Sequence, residues 1–366
     1  MSDKVINLEE RRDDSPLDHV DHPLPPGEPS EQIRAIMNMD DPPGFLQQLN
    51  PQVFYELIKQ AGWADSYDLV QYATPRQVQN FVDFDCWTRD RFITEKREKW
   101  LTALVTEASD EKLKEVCRNL DEEMLAIFFK DNLVVEEMDE GEIPEHLDGN
   151  VAPSPDNVYA IVYAEDEDRA ALCRLLIDRL YAVDRVLAWT LLEAARWELM
   201  SEMEEYAYKW RNSRLEEFGF VSRDEAVEVY SYVNPTDYRD KISDREPEEE
   251  VEAVPTDRVE LPEVVEDELD GEFWLVEVLS TIEDPEEVRK VIYQIKTVTN
   301  RAMIADGIEP GELESGRQVV RRGFGYASLG LEFLSRCEVD SAREHLRTVP
   351  FKRIFQVGYA LTRKLQ

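Results

Sequence analysis

Apolar positions recur at helical spacing over most of this chain. Val53, Phe54, Leu57 and Ile58 follow Asn50-Pro51, and Val78, Phe81 and Val82 follow Thr74-Pro75. Both sets are i, i+3, i+4 stripes. In both, a residue able to cap through its side chain precedes a proline at the first helical position, where the missing N–H costs nothing. Ser109 opens a further stripe of Leu113, Val116, Cys117 and Leu120, and Asp121 stands where it can cap the next, with Leu125, Ile127, Phe128 and Phe129. Residues 29–131 are therefore expected to form stacked short helices joined by tight capped turns, a helical-repeat-like region.

The period then changes. Residues 132–138 (NLVVEEM) and 157–163 (NVYAIVY) are rich in β-branched and aromatic side chains, and Gly141, Pro144, Gly149, Pro153 and Pro155 lie between them. This predicts a minor β-hairpin with a long loop within 132–165. Residues 166–181 carry Ala170, Leu172, Leu175, Leu176 and Leu180, and 182–217 contain no glycine or proline. A single helix of that length would span roughly 50 Å at about 1.5 Å per residue. Two shorter helices folded back on each other satisfy the pattern equally, and the region 166–245 is expected to hold a long central helical hairpin. Gly219 ends it in the position that favours glycine. Residues 246–272 (EPEEEVEAVPTDRVELPEVVEDELDGE) lose the period and read as an acidic linker, and 1–28 read as a flexible tail with Pro16, Pro23, Pro25 and Pro26. Helices resume with FWLVEVLSTI and with Asp284-Pro285 followed by Val288, Val291, Ile292 and Ile295, giving a C-terminal helical region over 273–366. The fold class is mainly α.

One phrase occurs twice: GWADSYDLVQYATP at 62–75 and GFVSRDEAVEVYSYVNP at 219–235. In each, the glycine is expected to end a helix and the next aromatic to staple back onto it. Asp65 or Ser66 in one copy, and Ser222 in the other, would start a short helix burying Leu69 and Val70, or Ala226 and Val227. The proline opens the following element. Neither copy pairs a nucleophile with a base, so the phrase reads as a packing unit.

The net charge of −38, from 80 acidic and 42 basic residues among 366, repels nucleic acid and anionic membranes from the chain as a whole. Cys86, Cys117, Cys173 and Cys337 are scattered with no Cys-x-x-Cys, which points away from a disulfide framework and from zinc. The N-terminus has no apolar signal core and the chain no long apolar run, so a cytoplasmic setting is expected.

Four motifs bear on chemistry. DFDCWTRD at 83–90 begins like a calcium loop, but Thr88 and Thr94 stand where that loop needs Gly and Glu. Its carboxylates are expected to cap helices and pair with Arg76, Arg89 or Arg91, with Trp87 anchoring the turn. The alternative is a surface recognition patch of Asp83, Asp85, Trp87 and Asp90. RGFGYASL at 322–329 matches the start of an RNA-recognition signature, with Phe324 and Tyr326 as stacking rings, but Ala327 and Leu329 break it and helical periodicity flanks it. Its small residues suit a close approach of two elements. Glu193, Glu198, Glu202, Glu204 and Glu205 have no histidine nearby and read as a solvated face, with Glu193 paired to Arg196 and Glu205 to Lys209. Finally, residues 317–366 hold ten Lys/Arg against four Asp/Glu, a local +6 that leaves −44 on the rest. The last helix places Phe351, Ile354, Phe355, Gly358, Leu361 and Leu365 on one face, flanked by Lys352, Arg353, Arg363 and Lys364. That end suits a core helix whose basic rim faces the acidic linker, or a helix lying on an anionic membrane or a partner.

The segments FVDFDCWTRDRF, RNSRLEEFGFVSRDEAVEVY, TNRAMIADGIEPGE, GYASLGLEFLS and PFKRIFQVGYALTRKLQ, in this order, resemble an uncharacterised bacterial helical family, domain of unknown function 6178. The resemblance implies a mainly helical cytoplasmic protein and supplies no catalytic residues. The capped helices of residues 50–130 are also similar, at the level of fold, to helical-repeat cytosolic domains of magnesium transporters and flagellar switch proteins. The expectation is a non-enzymatic adaptor or scaffold with an unidentified protein partner and no cofactor or metal. The alternatives are nucleic-acid or anionic-membrane association through the basic C-terminal region, and a carboxylate-dependent enzyme. The candidate interaction residues are Asp83, Asp85, Trp87, Asp90, Lys352, Arg353, Arg363 and Lys364.

Overall fold

The computed structural model describes residues 24–242 and 273–363. The expected acidic linker and most of the expected tail lie outside these residues, as do Lys364 and Leu365. Within them the fold is mainly α, with eighteen α-helices and two small sheets. The chain divides into two compact units, Pro26–Arg214 and the described residues from Leu215 onward. The region expected over 166–245 is shared between the two.

In the first unit, α1 (Pro29–Met37), α2 (Pro42–Gln48), α3 (Pro51–Ala61), α4 (Trp63–Ser66) and α5 (Pro75–Asp85) follow one another through short turns. Three of the caps the sequence predicts are made. Asn50 accepts from the Gln52 N–H, Ser109 from the Lys112 N–H, and Thr74 with Gln77 closes a capping box. Gln77 also donates to the Leu46 and Leu49 carbonyls at 2.8 and 2.9 Å, tying the end of α2 to the start of α5. Phe54 meets Phe81 edge-on at 5.3 Å, and Phe81 meets Trp100 of α6 (Thr94–Glu107) at 5.3 Å. A two-stranded ribbon, β1 (Trp87–Thr88) and β2 (Arg91–Phe92), stands between α5 and α6, with Trp87 opposite Phe92 and Arg89 at φ 58° in the turn. The DFDCWTRD segment gave no alternation long enough to predict it.

α7 (Asp110–Asn119) and α8 (Glu122–Asn132) lead into the second sheet. β3 (Leu133–Glu137) pairs antiparallel with β5 (Tyr159–Tyr163), Leu133 opposite Tyr163, which is the expected hairpin. β4 (Val151–Pro153) adds a third strand on the other edge of β5. Its three residues, flanked by Gly149 and closed by Pro153, are too few to signal a strand. The run without glycine or proline is cut twice. α9 (Glu167–Val183) ends at Asp184, whose N–H donates to the Leu180 carbonyl while its carboxylate accepts from the Leu187 N–H, so one aspartate closes α9 and opens α10 (Arg185–Trp197). Glu198 then turns extended (φ −75°, ψ 149°) before α11 (Met200–Glu216). Residues 182–217 are thus two helices, and α10 packs on α8, α9 and β3.

The second unit contains α12 (Arg223–Ala226), a 3-10 turn (Val227–Tyr230), α13 (Pro235–Asp240), α14 (Trp274–Leu279), α15 (Pro285–Ala305), α16 (Leu313–Ser335), α17 (Val339–Thr348) and α18 (Phe351–Arg363). Ile292, Ile295, Phe324, Leu331, Ile354 and Phe355 belong to its buried core. α16 and α18 cross at backbone contact. A Cβ on Gly330 would stand 2.0 Å from the Ile354 carbonyl oxygen, and one on Gly358 would stand 1.7 Å from the Tyr326 carbonyl oxygen. This is the close approach that the small residues of RGFGYASLG suit. The RNA-stacking alternative falls, because the motif is helical, Phe324 is buried, and Tyr326 packs edge-on against Phe355 and Tyr359, both at 5.5 Å.

The repeated phrase takes the same backbone form in each unit. Gly62 and Gly219 have φ of 86° and 81°, each copy runs through a turn of α-helix into a 3-10 turn, and each proline opens a helix. Three details differ from expectation. Trp63 meets Trp100 of α6 edge-on at 4.9 Å, a partner beyond the helix it follows. Ser66 donates to the Ile58 and Gly62 carbonyls instead of starting a helix, so it closes the end of α3. Val227 is exposed, and Val229 fills the core in its place.

Substituting Gly358 by Ala is expected to destabilise the chain by about 1–3 kcal/mol or more, because the added methyl meets backbone that has little room to yield. Urea denaturation monitored by circular dichroism checks this; an unchanged midpoint would contradict the crossing.

Candidate functional site

The end of α5 carries a buried charge network. Asp83 accepts from the Arg214 Nε at 2.6 Å and Nη2 at 2.9 Å, and from Gln79 Nε2 at 3.2 Å. The same guanidinium reaches Asp121 through Nη1 at 3.0 Å and Nη2 at 2.6 Å. The Asp121 carboxylate therefore pairs with Arg214, and no side-chain cap is made at the start of α8. Arg211, one turn earlier on α11, donates to the Asp83 carbonyl at 2.9 Å and lies 5.4 Å over the Trp87 ring. Asp85 accepts from Tyr55 Oη and Lys59 at 3.1 Å, from Trp100 Nε1 at 3.0 Å, and pairs with Lys96 at 3.2 Å. The cations that meet Asp83 and Asp85 come from α3, α6 and α11, besides the Arg76, Arg89 and Arg91 expected nearby.

The two carboxylates, two residues apart, are shifted in opposite directions. Burial pushes Asp83 up to about 6, against the pull of Arg214. Burial also acts to raise Asp85, but Lys59 and Lys96, with the hydrogen bonds, outweigh it and hold that carboxyl below its ordinary value. A second buried cation lies beside this network. Arg97 donates to Asp131 at 2.6 Å and sits over Phe92 and Phe128 at 5.2 and 5.5 Å.

These placements decide the candidate residues. Asp83, Asp85 and Trp87 are buried and form no surface patch; the reading of them as a recognition surface is corrected by their packing. Asp90 is exposed in the β1–β2 turn. Lys352 pairs with Glu228 at 3.3 Å, Arg353 donates to Gln356 at 2.9 Å, and Arg363 stands 5.9 Å over Tyr359. Lys364 lies outside the described residues. Phe351, Ile354, Phe355 and Gly358 are buried, so α18 has already spent its apolar face.

Large apolar side chains are left exposed on α10 and, separately, on α11. Val186, Trp189, Trp197, Leu199, Tyr206 and Trp210 are 70, 37, 68, 60, 55 and 51 % exposed. On α10 the buried residues Leu187, Ala188, Leu191, Leu192 and Ala195 form one stripe. Val186, Trp189, Glu193 and Trp197, at i, i+3, i+7 and i+11, form the opposite one. Its rings are held in place. Trp189 donates to Asp156 at 2.7 Å beneath Arg185 at 4.6 Å, and Trp197 donates to Glu193 at 2.9 Å beneath Arg196 at 4.5 Å. Glu193 also accepts from Tyr159 Oη at 2.6 Å and pairs with Arg196 at 3.6 Å, as the spacing predicts. Counting the α10 register from Leu187 and Leu191 would have placed Trp189 and Trp197 outside; the length of the apolar pattern hid that surplus.

A family model described as a family of unknown function (DUF6178) matches residues 9–366. The chain belongs to DUF6178. No curated protein matches it. No solved structure matches it either, so the fold-level likeness to transporter and switch-protein domains carries no argument. In this DUF6178 chain, FVDFDCWTRDRF builds the buried charge network, and GYASLGLEFLS with PFKRIFQVGYALTRKLQ builds the glycine crossing. The exposed aromatic residues of α10 and α11 lie between those segments in sequence. Among the described residues no His, Cys, Asp and Glu group has the arrangement of a metal site, and no helix is long and apolar enough to cross a membrane.

Carboxyl titration by carbon-13 NMR is expected to place Asp83 near 6 and Asp85 below the ordinary carboxylate range. The native state holds the Asp83 proton more tightly than the unfolded chain does. Its contribution to stability is therefore full below about 4 and is lost as the pH rises through about 6. The Asp85 contribution has the opposite sign, present above about 4 and lost as the pH falls through its depressed value. Asp83→Asn and Asp85→Asn are expected to flatten those two windows of the stability profile separately. A common titration of both groups near 4 would contradict the arrangement.

Proposed function

We propose that this DUF6178 chain is a protein-interaction adaptor or scaffold working in a cytoplasmic setting. The observation that carries the reading is the exposure of Trp189 and Trp197 along one stripe of α10, with Tyr206 and Trp210 exposed on α11. Taking roughly 250 Å² for a whole tryptophan side chain, the two indoles of the α10 stripe expose about 250 Å². Exposed tryptophan and tyrosine are also the residues that most often anchor protein interfaces. These residues stand on helices rather than on loops, and the indole N–H groups of Trp189 and Trp197 are already bonded to carboxylates. A partner would therefore meet rings held in position, which lowers the ordering cost of binding.

Two observations favour this over the other readings. The buried carboxylates Asp83, Asp85 and Asp184 each pair with cations, and buried Glu56 accepts from Gln52 at 3.3 Å, so each is committed to packing rather than left to move protons. The basic C-terminal helix has its apolar face in the core and Lys352 in an ion pair, which weakens the membrane and nucleic-acid readings.

Affinity capture of the tagged full chain from its native cytoplasm, with and without nuclease, tests the proposal. The expected result is a stoichiometric protein partner that survives nuclease. Recovery of nuclease-sensitive material alone, or of no stoichiometric protein, would count against it.

A further inference from the structure

Three aspartates of this chain are followed directly by glycine: Asp148-Gly149, Asp270-Gly271 and Asp306-Gly307. In such a pair the glycine carries no side chain to shield its amide nitrogen, and its backbone is unusually free to rotate. That nitrogen can attack the aspartate carboxyl one residue back. The fold decides whether it does, because a held carboxylate and an amide committed to a hydrogen bond do not meet. Asp270-Gly271 lies outside the described residues. The other two pairs stand in opposite surroundings.

Asp306 ends α15 in helical backbone, at φ −78° and ψ −3°. Its carboxylate accepts from Tyr230 Oη at 3.2 Å and pairs with Arg322. The Gly307 N–H donates to the Ile304 carbonyl at 3.0 Å. Both reacting groups are engaged there. Asp148 and Gly149 are exposed in the loop between β3 and β4. Among the described residues the Asp148 carboxylate has no ion pair, and the Gly149 N–H has no acceptor. Gly149 has φ 94°, and beyond its chain neighbours no atom stands within 4 Å of the place a Cβ would take. The loop therefore has room for the two groups to close on each other.

We infer that Asp148 is a site of spontaneous covalent modification, converting to isoaspartate through a cyclic imide with Gly149. The Gly149 nitrogen bonds to the side-chain carboxyl carbon of Asp148. The carboxyl loses its hydroxyl and the nitrogen its proton, and the two leave together as one water. Water then adds back across one of the two imide C–N bonds. Opening at the side-chain carbonyl restores aspartate. Opening at the main-chain carbonyl leaves the chain running through the Asp148 side chain, with the former main-chain carbonyl as a free carboxylate. Water is the only co-reactant, released in the first step and consumed in the second. The product backbone is one carbon longer just ahead of β4, where the Asn150 carbonyl accepts from the Tyr163 N–H at 3.0 Å. β4 pairs with β5 over Val151 to Pro153 only, and Pro153 has no N–H to add to the ladder. The longer backbone loosens this short edge first.

The test incubates the full chain in neutral buffer below its melting transition. Peptides spanning Asp148, Asp270 and Asp306 are followed separately by mass spectrometry with electron-transfer fragmentation, which separates isoaspartate from aspartate. The expected result is a progressive loss of the original Asp148 peptide to its isoaspartate form while Asp306 stays intact. In urea, where neither site is held, the two are expected to convert alike. Asp148→Glu, which would have to close a larger ring, is expected to lose the signal at 148. The position is exposed, so this variant keeps the wild-type circular dichroism. In the converted chain, hydrogen exchange at the Tyr163 amide is expected to quicken. The inference is overturned if Asp148 stays as intact as Asp306 in the folded chain. It is overturned as well if the difference between the two persists in urea, which would assign it to neighbouring residues in sequence rather than to the fold. Unchanged exchange at Tyr163 after conversion would overturn the coupling to β4.

Discussion

The guanidinium of Arg214 holds the first unit of this protein together at its most expensive point. Two carboxylates, Asp83 at the end of α5 and Asp121 at the start of α8, share one fork from α11. Charges taken out of water cost several kcal/mol each unless their geometry and remaining hydrogen bonds are complete. Here they are met by the bidentate contact, by Gln79 on Asp83, and by Arg211 on the backbone of the same residue. A bidentate Arg–carboxylate pair fixes direction as well as distance. The inner side of α11 is therefore set by α5, and Tyr208 and Arg211 each lie within 6 Å of the Trp87 ring behind it. With that side committed, Tyr206 and Trp210 are left on the outside.

α10 shows the same division in apolar terms. Leu187, Leu191 and Leu192 face α8, α9 and β3, and the opposite stripe carries indoles whose N–H groups are tied to Asp156 and Glu193. A tryptophan left at a surface usually needs no explanation by itself. Trp189 and Trp197, each stacked beneath an arginine and bonded to a carboxylate, have lost much of the rotamer freedom that binding would otherwise have to remove.

Much of the fold was legible because it is written in local chemistry. Asn50-Pro51, Thr74-Pro75 with Gln77, and Ser109 start their helices through contacts within three residues. The repeated Gly-aromatic phrase and the small residues of RGFGYASLG also read correctly as packing devices. The charge network did not read correctly, because the partner of Asp83 lies 131 residues away and Arg89 and Arg91 stood nearer in sequence. β4 was invisible because a strand of three residues ending in proline has no period to detect. The aromatic stripe of α10 was missed for a different reason. α10 is apolar on both sides, and only the register of its buried leucines separates core from surface. Asp83, Asp85 and Trp87, singled out as polar and aromatic in one short segment, proved to be the inside of that arrangement rather than its surface.

The central claim is that Trp87 and Trp100 are packed inside while Trp189, Trp197 and Trp210 are left open. Hydroxyl-radical footprinting of the native full chain, with oxidation at each tryptophan read by mass spectrometry, measures this directly. The account predicts fast oxidation at Trp197 and Trp210, intermediate oxidation at Trp189, and strong protection of Trp87 and Trp100, which are each 2 % exposed. Protection of Trp197 and Trp210 equal to that of Trp87 would show that these rings are covered in the free chain, and would contradict the account.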